Sequence, residues 1–170
     1  MISKHKTFLP LLILVSLTSP FSALADGGRE FIVRPHFGIG HASSNDDAKE
    51  GDHTYAGLRL LLSANAWQRY GVEVTRIDID ADDGSDTRYV AAGIVLEQKP
   101  WRGFIMSIGT MGYFGDGDNS SNPVGLVTNL GWESTSQRNV KPFVTFRSDT
   151  IWDEPRTSLI SLNLGLSFSL

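Results

Sequence analysis

The sequence predicts an all-β protein, an eight-stranded antiparallel up-and-down transmembrane β-barrel. Three observations carry this prediction. Eight segments alternate apolar and polar residues with a period of two, and no convincing helical pattern lies between them. The face opposite the apolar one is small and polar, built of glycine, serine and charged residues, which suits a barrel turned inside out relative to a soluble protein, with the apolar face toward lipid. The connections between segments alternate between long acidic stretches and mostly shorter ones.

The first 25 residues stand apart from this pattern. Lys4, His5 and Lys6 precede an apolar run over 8–17, and small residues close on Ala23, Leu24 and Ala25. This is the layout of a secretory signal peptide, with cleavage expected before Asp26, and the run is too short for a spanning helix of about 20 residues. Residues 26–170 then form the barrel domain. Losing Lys4 and Lys6 lowers the formal charge from −4 to −6, a balance that argues against a nucleic-acid partner. With no cysteine there is neither a disulfide nor a lipid attachment site.

The predicted strands run over 30–41, 54–63, 69–80, 87–98, 102–114, 123–134, 139–149 and 157–170. In the fourth, Val90, Ala92, Ile94 and Leu96 share one face, and Ala91, Gly93, Val95 and Glu97 share the other. In the last, Ile160, Leu162, Leu164, Leu166, Phe168 and Leu170 oppose Ser161, Asn163, Gly165, Ser167 and Ser169. Arg59, Glu73, Glu97, Asn129, Glu133, Lys141, Arg147 and Asp149 fall on the inward phase. Opposite charges there are expected to pair and fill the narrow lumen, leaving no open pore.

Two elements resist the pattern. Pro35 lies inside the first strand, where a ladder tolerates proline only at a bulge or an end. In the third, Glu73 and Thr75 alternate with one set while Arg76, Asp78 and Asp80 take the other, which predicts a bulge or an early exit from the membrane.

The long acidic connections ASSNDDAKEGDH, DADDGSD, GDGDNSSN and TIWDEPR are expected to face the exterior, and the shorter ones the periplasm. Trp67, Trp101 and Trp132 lie near the short turns and Tyr55, Tyr89, Tyr113 and Phe114 at the opposite strand ends, which suggests two aromatic girdles. A soluble lipocalin-like barrel is the rival reading, and it requires a charged outer face where this sequence places glycine and serine.

Candidate chemistry is sparse. The stretch 78–86 lacks the glycine and glutamate of a calcium loop, since Asp83 and Tyr89 stand at those positions. A looser divalent site there, bridging lipopolysaccharide, is the functional reading, and a solvated loop the structural one. His41 and Ser43 share a strand face, with Asp46 and Asp47 nearby, but nothing in the sequence fixes those acids or supplies an oxyanion site. His36 and His53 show no metal-ligand spacing with each other or with His41. Arg147, Asp149, Asp153 and Glu154 around Trp152 suggest a charged cluster at the outer rim.

The run GYFGDGDNSSNPVGLVTNLGWE and the stretch FVTFRSDTIWDEPRTSLISLNLGLSF resemble the outer-membrane lipid A 3-O-deacylase (PagL-type) group and its broader barrel relatives, including acyloxyacyl hydrolase-like barrels. The resemblance implies a small eight-stranded outer-membrane barrel. It also implies ester hydrolysis on lipopolysaccharide by a strand bearing His-x-Ser on its lipid side, with an acid a dozen residues on. Ser148 falls on the nucleophile, Phe146 on the histidine and Ile160 on the acid, so two of three partners are unmatched and the architecture carries over better than the activity.

Two functions therefore stand at this point. One is a structural or surface-interaction barrel with acidic outer loops, monomeric and without a cofactor. The other is a lipid A ester hydrolase using Ser148. The ending also has a reading of its own. Asn163, Gly165, Phe168 and Leu170 resemble the signal by which the barrel-assembly machinery recognises the last strand of its clients.

Overall fold

A computed structural model of the chain describes residues 30–44, 49–82, 84, 86–115, 122–136 and 138–170. The expected signal peptide, Asp46, Asp47, Asp83 and most of the GDGDNSSN connection lie outside the described residues. Eight strands follow in order: β1 (Phe31–Ser43), β2 (Gly51–Ser63), β3 (Gln68–Ala81), β4 (Asp86–Gln98), β5 (Phe104–Gly115), β6 (Val124–Glu133), β7 (Val140–Ile151) and β8 (Thr157–Ser169). Each pairs antiparallel with its chain neighbours, and β8 pairs with β1 to close the barrel. Closure removes both sheet edges, so no backbone row is left unpaired in an apolar surrounding.

The register fixes the geometry. Starting at Ile32 and crossing from strand to strand, the row passes Leu61, Gly71, Val95, Gly109, Val127, Asp149 and Leu159, and it returns to β1 at Ala42. A full circuit therefore climbs ten residues, from Ile32 to Ala42, from the turn end of the barrel to its loop end. A stagger of that size on eight strands corresponds to a tilt of about 40° and leaves an interior that side chains alone can fill.

Alternation sorts the residues as expected. Phe37, Ile39, Val72, Val74, Ile94, Leu130, Phe146, Ile160, Leu162, Leu164 and Leu166 point outward and are exposed. The inward set includes Arg34, Arg59, Arg69, Glu73, Glu97, Asn129, Glu133, Arg147 and Asp149, all buried. Apolar outside and charged inside is the polarity of a barrel solvated by lipid.

The third strand carries no bulge. Its pairing is continuous from Arg69 to Ala81 with β2 and from Gln68 to Asp80 with β4. What changes along β3 is chemistry and not phase. Arg76, Asp78 and Asp80 continue the outward row begun by Tyr70, Val72 and Val74, while Ile77 and Ile79 continue the inward row begun by Glu73 and Thr75. Toward the loop end the strand is therefore apolar inside and polar outside, the pattern of a wall that has left the bilayer.

Pro35 does stay within a strand. It faces Leu58 of β2, while the pairing of β1 with β8 runs from Val33 opposite Phe168 directly to His36 opposite Gly165. The ladder pauses where proline has no N–H to give, at the seam between the first and last strands.

The two aromatic girdles need correction. Trp132 is exposed on the outer wall at the turn end, and Trp67 and Trp101 are exposed on the turns themselves. Phe114 and Trp152 are the exposed aromatics of the loop end, but Tyr55, Tyr89 and Tyr113 are buried in the lumen at 4%, 5% and 0% exposure. Position along the strand placed these tyrosines at an interface, yet their parity turns them inward. At the turn before β5, Gly103 has φ +82°, and a Cβ there would lie 2.2 Å from the Trp132 ring. The turn therefore needs glycine twice over, for its left-handed backbone and for the indole packed on it.

Candidate functional site

The lumen holds two layers of ion pairs under an apolar cap. In the layer toward the turn end, Arg34 donates to Glu97 through Nη1 and, at 2.6 Å, to Glu133 Oε1 through Nη2. Arg69 Nη1 reaches Glu97 Oε1 at 3.0 Å and Glu133 Oε1 at 3.1 Å. Lys99 donates to Glu133 Oε2 at 2.8 Å, and Ser167 donates to Glu133 Oε1 at 2.8 Å. The Arg34 guanidinium also lies over the Phe143 ring, 4.8 Å from its centroid.

In the layer above, Glu73 is the centre. Arg59 donates to its Oε2 through Nε at 2.7 Å, Thr75 donates to its Oε1 at 3.0 Å, and Arg147 binds the same oxygen through Nη1. Arg147 in turn holds Asp149 with Nε at 2.6 Å and Nη2 at 2.8 Å, and Tyr113 donates its hydroxyl to Asp149 at 2.5 Å. Arg59 Nη1 lies 3.6 Å from Glu97 and connects the layers. Such charges persist in a buried space only because each guanidinium meets carboxylates on more than one strand.

Above the second layer the lumen is mostly apolar, with His53 buried beside Tyr55 as a polar exception. Ala42, Tyr55, Ile77, Ile79, Tyr89, Ala91, Met111, Tyr113, Ile151 and Leu159 are all buried, and Tyr89 meets Tyr113 edge-on at 6.3 Å. Ion pairs and cap together occupy the bore. What this interior does chemically is lock eight strands together.

Sequence reasoning placed Arg59, Glu73, Glu97, Asn129, Glu133, Lys141, Arg147 and Asp149 on the inward side, and all of them face that way. It missed Arg34, Arg69 and Lys99. The signal was available for two of them, since Arg34 alternates with Ile32 and His36, and Arg69 lies four residues before Glu73 on the same face. Lys99 follows the end of β4 and has no strand parity to reveal it.

The rim cluster expected around Trp152 does not form as one group. Arg147 and Asp149 belong to the lumen, whereas Asp153 accepts from Lys49 Nζ at 2.7 Å and ties the last loop to the first. The parity that placed Arg147 and Asp149 on the inward phase prevails over the rim reading, and the loop begins only after Ile151.

Ser148 lies on the outer wall of β7, between Thr128 of β6 and Ile160 of β8. Phe146 and Ile160 beside it are 67% and 62% exposed to the surrounding medium. The positions carried over from the deacylase group are thus neighbours on the lipid face, but apolar side chains fill two of them. Beyond Ile160 the same row reaches His41 and then Asp52. His41 Nδ1 lies 3.3 Å from Asp52 Oδ1, so strand pairing supplies an orienting acid that the local sequence did not reveal. That imidazole stands two strands from Ser148, about 10 Å at the usual strand spacing, beyond the roughly 3 Å that proton transfer requires.

The acidic stretch between β3 and β4 is neutralised in part by its own arginines. Arg76 donates to Asp78 at 3.0 Å, and Arg88 lies 3.4 Å from Asp78 and 3.6 Å from Asp86. Among the described residues no group of three or more His, Cys, Asp or Glu is arranged to hold a metal ion.

Among solved structures, Neisserial surface protein A (NspA) superposes with a TM-score of 0.60 at 15% sequence identity, over 82% of this chain and 98% of that one. The outer membrane protein OprG from Pseudomonas aeruginosa gives a TM-score of 0.49 at 14% identity, over 83% of this chain and 95% of that one. The likeness to the first shows the fold, a small eight-stranded barrel of outer-membrane type. No protein-family model matches the chain, and no curated protein does.

Proposed function

We propose that this chain is a monomeric outer-membrane protein with a closed barrel, acting through its acidic outer loops in surface interaction or envelope integrity and conducting nothing through its bore. The lumen carries this reading. Arg34, Arg59, Arg69, Arg147 and Lys99 interlock with Glu73, Glu97, Glu133 and Asp149 across strands on every side of the barrel. Glu30 and Leu170, the first and last described residues, lie with the short turns, which in this reading face the periplasm, and the acidic loops face the lipopolysaccharide layer. Export with cleavage before Asp26, and recognition of Asn163, Gly165, Phe168 and Leu170 by the assembly machinery, belong to the same reading.

Purified protein in a planar lipid bilayer tests it. The expected record is flat at voltages that open porins, and protease added to intact cells is expected to cut the acidic loops. Regular conductance steps, or loops cut only after the cells are broken, overturn it. Lipid A ester hydrolysis at Ser148 is the second reading, supported by the outward position of the hydroxyl. Mass spectrometry of lipid A from expressing cells decides it: loss of an acyl chain that Ser148→Ala restores is the result that would establish it.

A further inference from the structure

The unmet polar groups of the lumen are gathered on one wall. Six buried side-chain atoms meet no hydrogen-bond partner among the described residues, and five of them, His36 Nε2, His53 Nδ1, Tyr55 OH, Ser161 Oγ and Asn163 Oδ1, belong to β1, β2 and β8. Register puts them side by side. Tyr55 and Asn163 flank Gly38, and His53 and Ser161 flank Gly40, so β2 and β8 bring their polar groups to a strip of glycine on β1. A Cβ on Gly38 would lie 2.4 Å from the Tyr55 ring and 2.5 Å from Asn163 Oδ1. The Tyr55 ring lies edge-on to His36 at 5.7 Å and stacks with His53 at 6.4 Å. Buried polar groups are ordinarily paired, so five together mark a wall that water would satisfy better than the packing does.

Of the two histidines, His53 lies nearer the loop end. It is 3% exposed and stands opposite Ile79 of β3. The outward residues around it, Asp52 and Thr54 on β2 and Asp78 and Asp80 on β3, belong to the wall that has left the bilayer. Burial holds its imidazole below the ordinary histidine range. Asp149 of β7 opposes this, Arg147 of β7 and His41 of β1 add to it, and Asp52 of its own strand opposes it in smaller measure. Toward β8 it meets no charge, the residue across Gly40 being Ser161. Asp149 is already engaged by Arg147 and Tyr113, and Asp52 by His41. An imidazolium formed here has no uncommitted carboxylate to turn to among these groups.

We propose that His53 is an acid-sensitive latch, which on taking up a proton draws water into the wall between β2 and β8 and loosens the loop-end half of the bore. A buried histidine that resists the proton contributes stability that is whole above the ordinary histidine value of 6.5 and drains away as the pH falls below it. Tyr55, Ser161 and Asn163 gain water partners in the same step, so the wall opens as a unit. Nearer the turns, Glu97 and Glu133 are each bridged by Arg34 and Arg69, and that layer stays shut. Water therefore enters without passing through. The latch belongs to the bore, and it stands whether or not the outer loops bind a partner.

Hydroxyl-radical labelling of the protein folded in phospholipid vesicles, read residue by residue by mass spectrometry, tests this. Tyr55 and Phe143 are both buried, at 4% and 7% exposure, the first on the wall in question and the second against Arg34 and opposite Glu133. Between about pH 7.5 and about pH 5, the span in which histidine changes charge, labelling of Tyr55 is expected to rise about threefold while that of Phe143 stays level. His53→Gln keeps a polar side chain that takes no proton, and its Tyr55 is expected not to respond to pH. His36→Gln is expected to keep the response. Level labelling of Tyr55 in the wild type overturns the proposal, as does a rise that survives in His53→Gln. A rise at Tyr55 and Phe143 together is unfolding of the whole barrel and also overturns it. Should His53→Gln fail to fold, His53→Phe carries the same expectation and the same refutation.

Discussion

Replacing Glu73 by alanine removes the carboxylate on which Arg59, Arg147 and Thr75 converge. The two arginines are not left equally exposed to the loss. Arg147 keeps two bonds to Asp149, at 2.6 and 2.8 Å, and remains paired. Arg59 keeps only Glu97, at 3.6 Å, and a contact to Ser107 at 3.4 Å. The change therefore leaves one buried guanidinium without a close counter-ion, which costs about 3–5 kcal/mol. Glu73→Ala with Arg59→Ala removes both charges and is expected to cost less than Glu73→Ala alone, which is the sign a double-mutant cycle reads as coupling. Urea unfolding in phospholipid vesicles, followed by tryptophan fluorescence and by the mobility of unheated samples on a gel, supplies the free energies. A coupling energy below about 1 kcal/mol between residues 59 and 73 would refute the view that the network locks the barrel.

Three further outcomes follow from the same structure. Tyr113→Phe removes the hydroxyl that donates to Asp149 at 2.5 Å, and the same unfolding assay is expected to show a loss of about 1.5–3 kcal/mol, the range for a bond to a charged group. Gly103→Ala meets both a left-handed backbone and the Trp132 ring, so a loss of about 1–2 kcal/mol with a shift in tryptophan emission is expected, and an unchanged spectrum would count against the packing described. Phe168→Ser leaves refolding into detergent close to wild type but is expected to lower the amount assembled in the outer membrane of cells. Equal amounts by immunoblot of membrane fractions would detach Phe168 from assembly.

Most of the barrel was legible because strand parity is a local property. Leu162, Leu164 and Leu166 opposite Asn163, Gly165 and Ser167 announce two faces without reference to any other strand. The ends of strands were placed within a few residues for the same reason, β1, β2, β3, β4 and β7 being longer than the pattern suggested. What was not legible depends on which residues of different strands meet. Glu97 could be assigned to the interior from β4 alone, but its partners Arg34 and Arg69 come from β1 and β3. The contact between His41 and Asp52 is likewise set by the register of β1 against β2 and not by the acids that follow in the chain. The tyrosines failed for another reason. Their rank along the strand was read while their parity was not, and parity decides whether a ring meets lipid or the lumen.

The exchange of faces along β3 has a consequence for how the barrel sits in its membrane. Arg76 and Phe114 belong to one pairing row, joined through Val90, and rows climb toward the loop end from β3 to β5. The charged residue is therefore the lower of the two. Water begins deeper on the β3 side than the apolar surface ends on the β5 side, where Phe114 and Val124 are still exposed. The waterline runs obliquely around the protein. A bilayer of even thickness meets such a surface only if the barrel leans or the leaflet thins beside β3, so the wall that carries Arg76 and Asp78 sets where that adjustment falls.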